Sequence, residues 1–424
     1  MVSILRQRRT SRRKRHGLAL AVASLLAWFL SIGTARSEDW PGWRGPRGDG
    51  TSLQRGLPTT WDVPAGKNVA WKAEVPGRGH SSPIVFGDHI FLATAFEDRQ
   101  ERALCSFDRR TGKLFWQQTV LKAPLEGKHD LNSYASSTPA TDGQSVYVAF
   151  LDGNQMAVAA YDFSGQQQWL VRPGGFSSKH GFCSCPVVFE DTVLVNGDHD
   201  GDSYLVALNR RTGETVWKIP RDNHTRSYCT PIIREIDGRT QMILSGDQCV
   251  ASYDPRTGRR HWVIDGPTEQ FVASIVDGHG LLFMTCGFPE HHILAIRPDG
   301  LGNVTDTHIA WRETKGASYV PSPLAVGDYF LVVSDGGVCS CFAATSGRRA
   351  WMQRLGTHYS GSPVTADGLA YFTSDDGVTQ VFRPAGTFEL LAENQLGEQC
   401  FSSPAISSGQ IIFRGEKHLI AVGP

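Results

Sequence analysis

The sequence predicts an all-β protein: an eight-bladed β-propeller of four-stranded blades, closed by an N-terminal strand that completes the last blade. Three observations predict it. Tryptophans recur every 40 to 53 residues along most of the chain. Each follows a turn of one kind, such as Asn209-Arg210-Arg211-Thr212-Gly213 before Trp217, or Asp108-Arg109-Arg110-Thr111-Gly112 before Trp116. A small-residue run marks the start of each of eight units, and in seven of them it ends in proline. Fixed periods in this range signal stacked or radial supersecondary repeats.

The first strand of each unit opens with that run: Ser81-Ser82-Pro83, Ser137-Thr138-Pro139, Ser184-Cys185-Pro186, Cys229-Thr230-Pro231, Pro321-Ser322-Pro323, Gly361-Ser362-Pro363 and Ser402-Ser403-Pro404, with Ser274-Ile275 in the fifth place. Inner strands of eight blades crowd around one axis. The residue before the proline is accordingly small in every unit: Ser82, Thr138, Cys185, Thr230, Ser274, Ser322, Ser362 and Ser403. Alternating apolar strands follow, for example Val146-Tyr147-Val148, then a third strand such as Tyr204 to Leu208. In the next turn Asp or Asn can bond backbone amides further along, while glycine takes a positive φ. The fourth strand carries the tryptophan: Trp116, Trp169, Trp217, Trp262, Trp311 or Trp351, each a large apolar plate expected to wedge between blades. The stretch holding Gly302 before Trp311 is a weaker copy, and the seventh unit carries Leu390-Leu391 where tryptophan is expected.

Closure follows from what is missing. The last unit, Ser402 to Val422, has room for three strands and no tryptophan, whereas Asn68 to Lys72, with Trp71, is an orphan strand ahead of the first unit. Joining the two removes an open sheet edge. The domain plan is therefore a signal segment over 1–37, an extended segment over 38–67 and the propeller over 68–424.

Residues 1–37 place a basic cluster (Arg6 to Arg15) before an apolar run from Leu18 to Ile32 and an Ala35-Arg36-Ser37 cleavage site. That is the pattern of a secretory signal, with a retained anchor helix as the alternative, and it implies an exported, periplasmic or secreted protein. The segment holds eight of the 42 Lys and Arg and no Asp or Glu, which leaves 34 basic against 42 acidic residues. This acidic balance argues against a nucleic-acid partner. No later apolar run reaches the length of a membrane span, and a monomer is expected. All nine cysteines lie after the signal, an odd number, so one thiol at least lacks an internal partner. Cys183 with Cys185, and Cys339 with Cys341, stand two apart and face one side of a strand, as small core residues would.

The phrase Leu208 to Trp217, its relatives and the Ser-Pro strand starts resemble the repeats of the pyrroloquinoline-quinone (PQQ) type eight-bladed propellers, over roughly Val69 to Val422. Asp39-Trp40-Pro41-Gly42-Trp43-Arg44-Gly45-Pro46 also resembles the opening of secreted PQQ-like repeat proteins. The resemblance implies either a quinoprotein dehydrogenase or a non-catalytic scaffold such as the BamB-like assembly factors. The dehydrogenases bring adjacent cysteines and a calcium-binding Glu/Asn/Asp set, and this chain has no adjacent cysteine pair. The BamB-like scaffolds are lipoproteins, and no cysteine lies near Ser37.

A fold hosts many functions, so function is sought at the propeller mouth. Five residues before each proline mark stand Arg78, Tyr134, Gly181, Arg226, Gln270, Ser318, His358 and Gln399, with His180, Lys179, Glu269 and Glu398 beside them. Arg78, Tyr134, His180, Arg226, Glu269, Gln270, His358 and Gln399 are the candidate ligand-binding residues. Asp198-His199-Asp200-Gly201-Asp202 has the flavour of a calcium loop but lacks a glutamate at its twelfth position, and reads as a solvated hairpin; no metal site or catalytic residue is expected. The expected function is a non-catalytic binding or protein-interaction scaffold with a protein partner or small ligand at the mouth and no cofactor. The alternative is a PQQ-dependent oxidoreductase holding PQQ with calcium.

Overall fold

The computed structural model describes residues 38–424. Eight antiparallel sheets follow one another along the chain. Blade 1 holds Ile84–Phe86, His89–Phe96, Glu101–Asp108 and Leu114–Lys122; blade 2 begins at Ala140–Thr141, blade 3 at Val187–Phe189 and blade 4 at Ile232–Ile236. Blades 5, 6 and 7 begin at Val276–Gly278, Leu324–Val326 and Val364–Ala366. Blade 8 holds Ala405–Ser407, Gln410–Arg414 and His418–Val422, and its fourth strand is Val69–Glu74. The closing register pairs Trp71 with Ala421, Lys72 with Ile420 and Ala73 with Leu419.

The repeated turn phrase is explained at the blade seams. Asp108 Oδ1 accepts the N–H groups of Arg110 and Thr111, and Asn209 Oδ1 those of Arg211 and Thr212, so the side chain shapes the turn. The glycine that ends the turn lies against the tryptophan of the preceding blade. A Cβ on Gly213 would stand 2.8 Å from the Trp169 ring, and one on Gly112 would stand 2.5 Å from Trp71. The indole N–H then donates to a turn carbonyl of the same neighbour: Trp71 to Arg109, Trp116 to Phe163, Trp169 to Arg210, Trp217 to Pro255, Trp311 to Ala344 and Trp351 to Ala385. One phrase thus writes both halves of a seam, the plate of one blade and the seat of the next.

Two seams depart. Trp262 is fully buried and donates to Gln241 Oε1 in its own blade, because Gly302–Asn303, from the long turn of blade 5, runs back as a fifth strand beside Trp262 and Val263. In blade 7 the register opposite Val381, which holds tryptophan elsewhere, is taken by Ala392, while Leu390 and Leu391 are exposed. Trp61, from the segment ahead of the propeller, is buried in the core cluster against which Ala392 packs, with its backbone N–H donating to Asn394 Oδ1 and its ring against Phe413.

The Asp198-to-Asp202 segment is the hairpin loop expected, with Asp200 and Asp202 exposed, but its first residue departs from the sequence reading. Asp198 is fully buried, not solvated, and forms an ion pair at 2.8 Å with the equally buried Arg221. Its turn folds inward because Ser227 and Arg221 supply the hydrogen bonds that water would otherwise give. Among the described residues no cluster of three or more His, Cys, Asp or Glu could hold a metal, all nine cysteines are free, and no helix is long and apolar enough to cross a membrane.

Candidate functional site: a one-ended funnel on the propeller axis

The inner strands build the site from the axis outward. The small residues before the prolines form a hydrogen-bonded ring in which a backbone N–H of one blade donates to the side chain of the next. Ser82 donates to Thr138 Oγ1, Thr138 to Cys185 Sγ, Thr230 to Ser274 Oγ, Ser274 to Ser322 Oγ, Ser322 to Ser362 Oγ, Ser362 to Ser403 Oγ, and Ser403 to Ser82 Oγ, at 2.8 to 3.3 Å. At the eighth step the Cys185 thiol hydrogen-bonds the Thr230 side chain. Small size at this position is thus joined by a second requirement, an acceptor atom on Cβ.

Beyond the ring the inner strands meet the N-terminal segment. Trp40 exchanges backbone hydrogen bonds with Val85, Pro41 accepts from Thr141, and Thr51–Ser52 pairs in parallel with blade 7 at Thr365. Arg44, buried, donates to Pro323 O, and Asp49 pairs with Arg234. Trp43 reaches the ring itself and donates its indole N–H to Ser274 Oγ at 3.2 Å. The segment therefore spans six blades and puts an indole at the far end of the axial channel.

What remains on the near side is a funnel of about 630 Å³, within the usual size of small-molecule sites. Its lining follows strand alternation, because every second residue of an inner strand faces the axis. One residue before the proline mark lies the ring, and three residues before it stand His80, Ser136, Cys183, Tyr228, Val272, Val320, Ser360 and Phe401, all of which line the funnel. This second tier was not singled out from the sequence, although a period of two counted back from the ring finds it.

Of the candidate residues, the structure brings together His180, Arg226, Gln270 and His358 on the funnel wall. Arg78 stands outside, largely exposed and paired with Glu416 at 2.7 Å. Tyr134 packs in the cluster between blades 1 and 2, beneath Lys128 and Arg102. Glu269 and Gln399 are exposed and do not line the funnel. Lys179 lines it too, as do His129, Leu131, Asn132, Phe288, Tyr319 and Asp335, from connecting loops.

The electrostatics are lopsided. Lys179 and Arg226 are cationic, and Arg226 pairs with Asp200 at 2.7 Å. Among the described residues Asp335 is the one lining carboxylate, and its two oxygens accept the N–H groups of Tyr319 and Val320. His80 lies stacked on Phe401 with ring centroids 4.7 Å apart, and its pKa is pushed down to about 4 by burial, aided by the charges of Arg414 and Lys128. It is a neutral plate. Burial also lowers the His180 pKa, with Arg226, His129 and Lys179 adding repulsion. His358 bonds through Nδ1 to buried Asp375 at 2.5 Å, and Asp375 in turn accepts from Ser360 N and Oγ. The Cys183 thiol is held protonated by burial beside Cys185.

Comparison with known proteins agrees with the bladed fold. The family model described as outer membrane protein assembly factor BamB matches residues 52–169, 100–277 and 302–387. The chain belongs to this family. Among solved structures, BamB from Moraxella catarrhalis is similar at 14% identity and a TM-score of 0.58, covering 83% of this chain and 98% of that one. The quinohemoprotein alcohol dehydrogenase from Comamonas testosteroni superposes with a TM-score of 0.62 at 12% identity, over 90% of this chain and 80% of its own. A europium-containing methanol dehydrogenase gives a TM-score of 0.53 at 14% identity, over 91% and 89% of the two chains. No curated protein matches. At these identities the solved structures speak for the fold alone.

Proposed function

We propose that the protein is an exported, non-catalytic binding propeller and that the axial funnel is its binding site. One observation carries the reading: a cavity of about 630 Å³, open at one end, with Trp43 at the other and a wall whose second tier differs from blade to blade. A rigid, symmetric frame holding an asymmetric polar and aromatic lining is a recognition surface. A cavity of about 630 Å³ suits a small molecule better than a folded partner.

The quinoprotein alternative draws support from His358, whose bond to Asp375 leaves Nε2 free to take a proton. The oxygen donors of the wall weigh against a calcium-bound quinone. Calcium takes about six to eight oxygen ligands, and among the described residues the wall carries one carboxylate, Asp335, whose two oxygens each accept a backbone N–H.

The test is a thermal-shift ligand screen on the parent protein, on Arg226→Ala with His358→Ala, and on Arg78→Ala. Hits should be lost in the double variant and kept in Arg78→Ala. Hits that bind all three equally would place the working surface elsewhere. An absorption spectrum with added PQQ and calcium decides the alternative: quinone absorbance that survives gel filtration would overturn the non-catalytic reading.

A further inference from the structure

We propose that the funnel selects a small, planar aromatic monocarboxylate, seated acid-first on a floor of serine hydroxyls. The proposal rests on the reading above that the funnel is the binding site, and it deepens that reading by naming the ligand class.

The argument is an inventory of hydrogen bonds. Five adjacent ring residues, Ser274, Ser322, Ser362, Ser403 and Ser82, line the funnel and are each at least nine-tenths buried. Each oxygen already accepts a backbone N–H from the preceding blade, and Ser274 Oγ also accepts from Trp43. A hydroxyl carries one proton besides its lone pairs. None of these five protons goes to a protein acceptor among the described residues, so they are left for the cavity.

The carboxylate and amide oxygens of the lining, by contrast, are each already engaged by protein donors. Asp335 takes two backbone N–H groups, Asn132 Oδ1 accepts from Ser133 N and Ser136 Oγ, and Gln270 Oε1 accepts from the Tyr319 hydroxyl. These three are the only lining side chains that carry a carboxylate or amide oxygen. Asn132 Nδ2 donates to His180 O, whereas Gln270 Nε2 and the Lys179 ammonium have no protein partner among the described residues. Set against these engaged carboxylate and amide oxygens, the five hydroxyl protons, Gln270 Nε2 and Lys179 give the floor of the funnel a surplus of free donors. A neutral polyol, which brings as many donors as acceptors, would bury unpaired hydroxyl protons there at a cost. A carboxylate brings acceptors only.

The charge and the walls narrow the class further. Arg226 is offset by Asp200, which leaves Lys179 as the lining cation without an ion-pair partner among the described residues and favours one negative charge over the two of a phosphate ester. Trp43, His80, Tyr228, Phe288, Tyr319 and Phe401 put six rings around the cavity, surfaces that suit a flat apolar body above the acid. Phe288 and Leu131, at the mouth, are both about half exposed, at 48% and 47%, and extend the apolar wall outward.

The probe is naphthoate, with naphthamide as its neutral isostere, titrated by calorimetry into the full exported chain, with melting curves to confirm that each variant folds. Naphthoate should bind at least about tenfold more tightly than naphthamide, a difference of about 1.4 kcal/mol. Ser322→Ala with Ser362→Ala should weaken naphthoate about tenfold and leave naphthamide unchanged. Because those serines also accept backbone N–H groups, Lys179→Met serves as a second variant outside the ring and should weaken the acid alone. Equal binding of acid and amide, or no binding of naphthoate, overturns the proposal. If a neutral ligand from the screen binds and is lost in Arg226→Ala with His358→Ala, the funnel remains the site and only the acid class falls; if nothing binds there, both fall.

Discussion

The blade seams and the funnel wall are made by the same eight units and obey opposite rules. At six seams one contact is repeated, an indole N–H to a turn carbonyl of the next blade. In the second tier of the funnel, two residues further in sequence from the prolines than the ring, the same structural position holds histidine, serine, cysteine, tyrosine, valine and phenylalanine. A position that recurs in every repeat solves a problem every repeat has, namely covering its apolar face. A position that varies among repeats while keeping its geometry is free to serve something outside the fold. The ring before the prolines lies between these cases, uniform in size and acceptor chemistry because it closes the circle.

The hardest way to break the seams is to open the circle. Removing residues 400–424 takes three strands from blade 8 and leaves Val69–Glu74 without the strand it pairs. The whole propeller should then unfold or aggregate, because every blade is stabilised by its neighbours. A soluble truncate that melts like the parent would refute the closure as the keystone of stability.

Single tryptophans should cost less and should rank by burial. Trp262→Ala removes a fully buried indole and should cost about 3–5 kcal/mol. Trp217 is only half-buried, so Trp217→Ala should cost less, and denaturant melts of the two variants decide the order. Trp61→Ala should behave as a seam variant although Trp61 belongs to no repeat. A near-silent Trp61→Ala would mean that blade 7 needs no plate.

Those rankings also show what the sequence could disclose. Repetition made the blades, the closing strand and the ring legible, because each leaves the same mark several times. Ala392, and not Leu390-Leu391, holds the tryptophan position because the blade 7 turn is one residue longer: Phe382 faces Leu390 eight residues on, where Leu208 faces Thr215 seven on, a difference that spacing alone does not reveal. Trp43 and Trp61 gave no periodic signal at all; Trp43 meets Ser274 across 231 residues of sequence. The funnel was half legible. Counting back five residues found Arg226, Gln270 and His358 but passed over the second tier, and Arg78 and Gln399 share the count while their side chains lie outside the funnel.

On the funnel side, pH gives a test. His80 titrates at about 4 in the fold against 6.5 for the free side chain, chiefly because burial disfavours its charge. Between those values the unfolded chain binds the extra proton, so stability should be whole above pH 6.5 and fall as pH drops towards 4, by at most about 3 kcal/mol. His80→Phe should remove most of that slope while keeping the stack on Phe401. An unchanged slope would assign the acid sensitivity to other groups.

The smallest effect isolates the seam itself. Gly213 and Gly238 both sit at positive φ, +74° and +71°, so alanine at either suffers the same left-handed strain, about 1 kcal/mol or somewhat more. Their surroundings differ. A Cβ at Gly213 would stand 2.8 Å from the Trp169 ring, closer than real Cβ atoms come, while one at Gly238 would meet nothing within 4 Å. The excess cost of Gly213→Ala over Gly238→Ala is therefore the price of pushing one blade off its neighbour. It should come to about 1–3 kcal/mol, the usual penalty for overpacking. Because the backbone term cancels, the excess should largely vanish when Trp169 is first replaced by alanine. If it persists in the Trp169→Ala background, the glycine serves its own turn and the seat belongs to some other part of the seam.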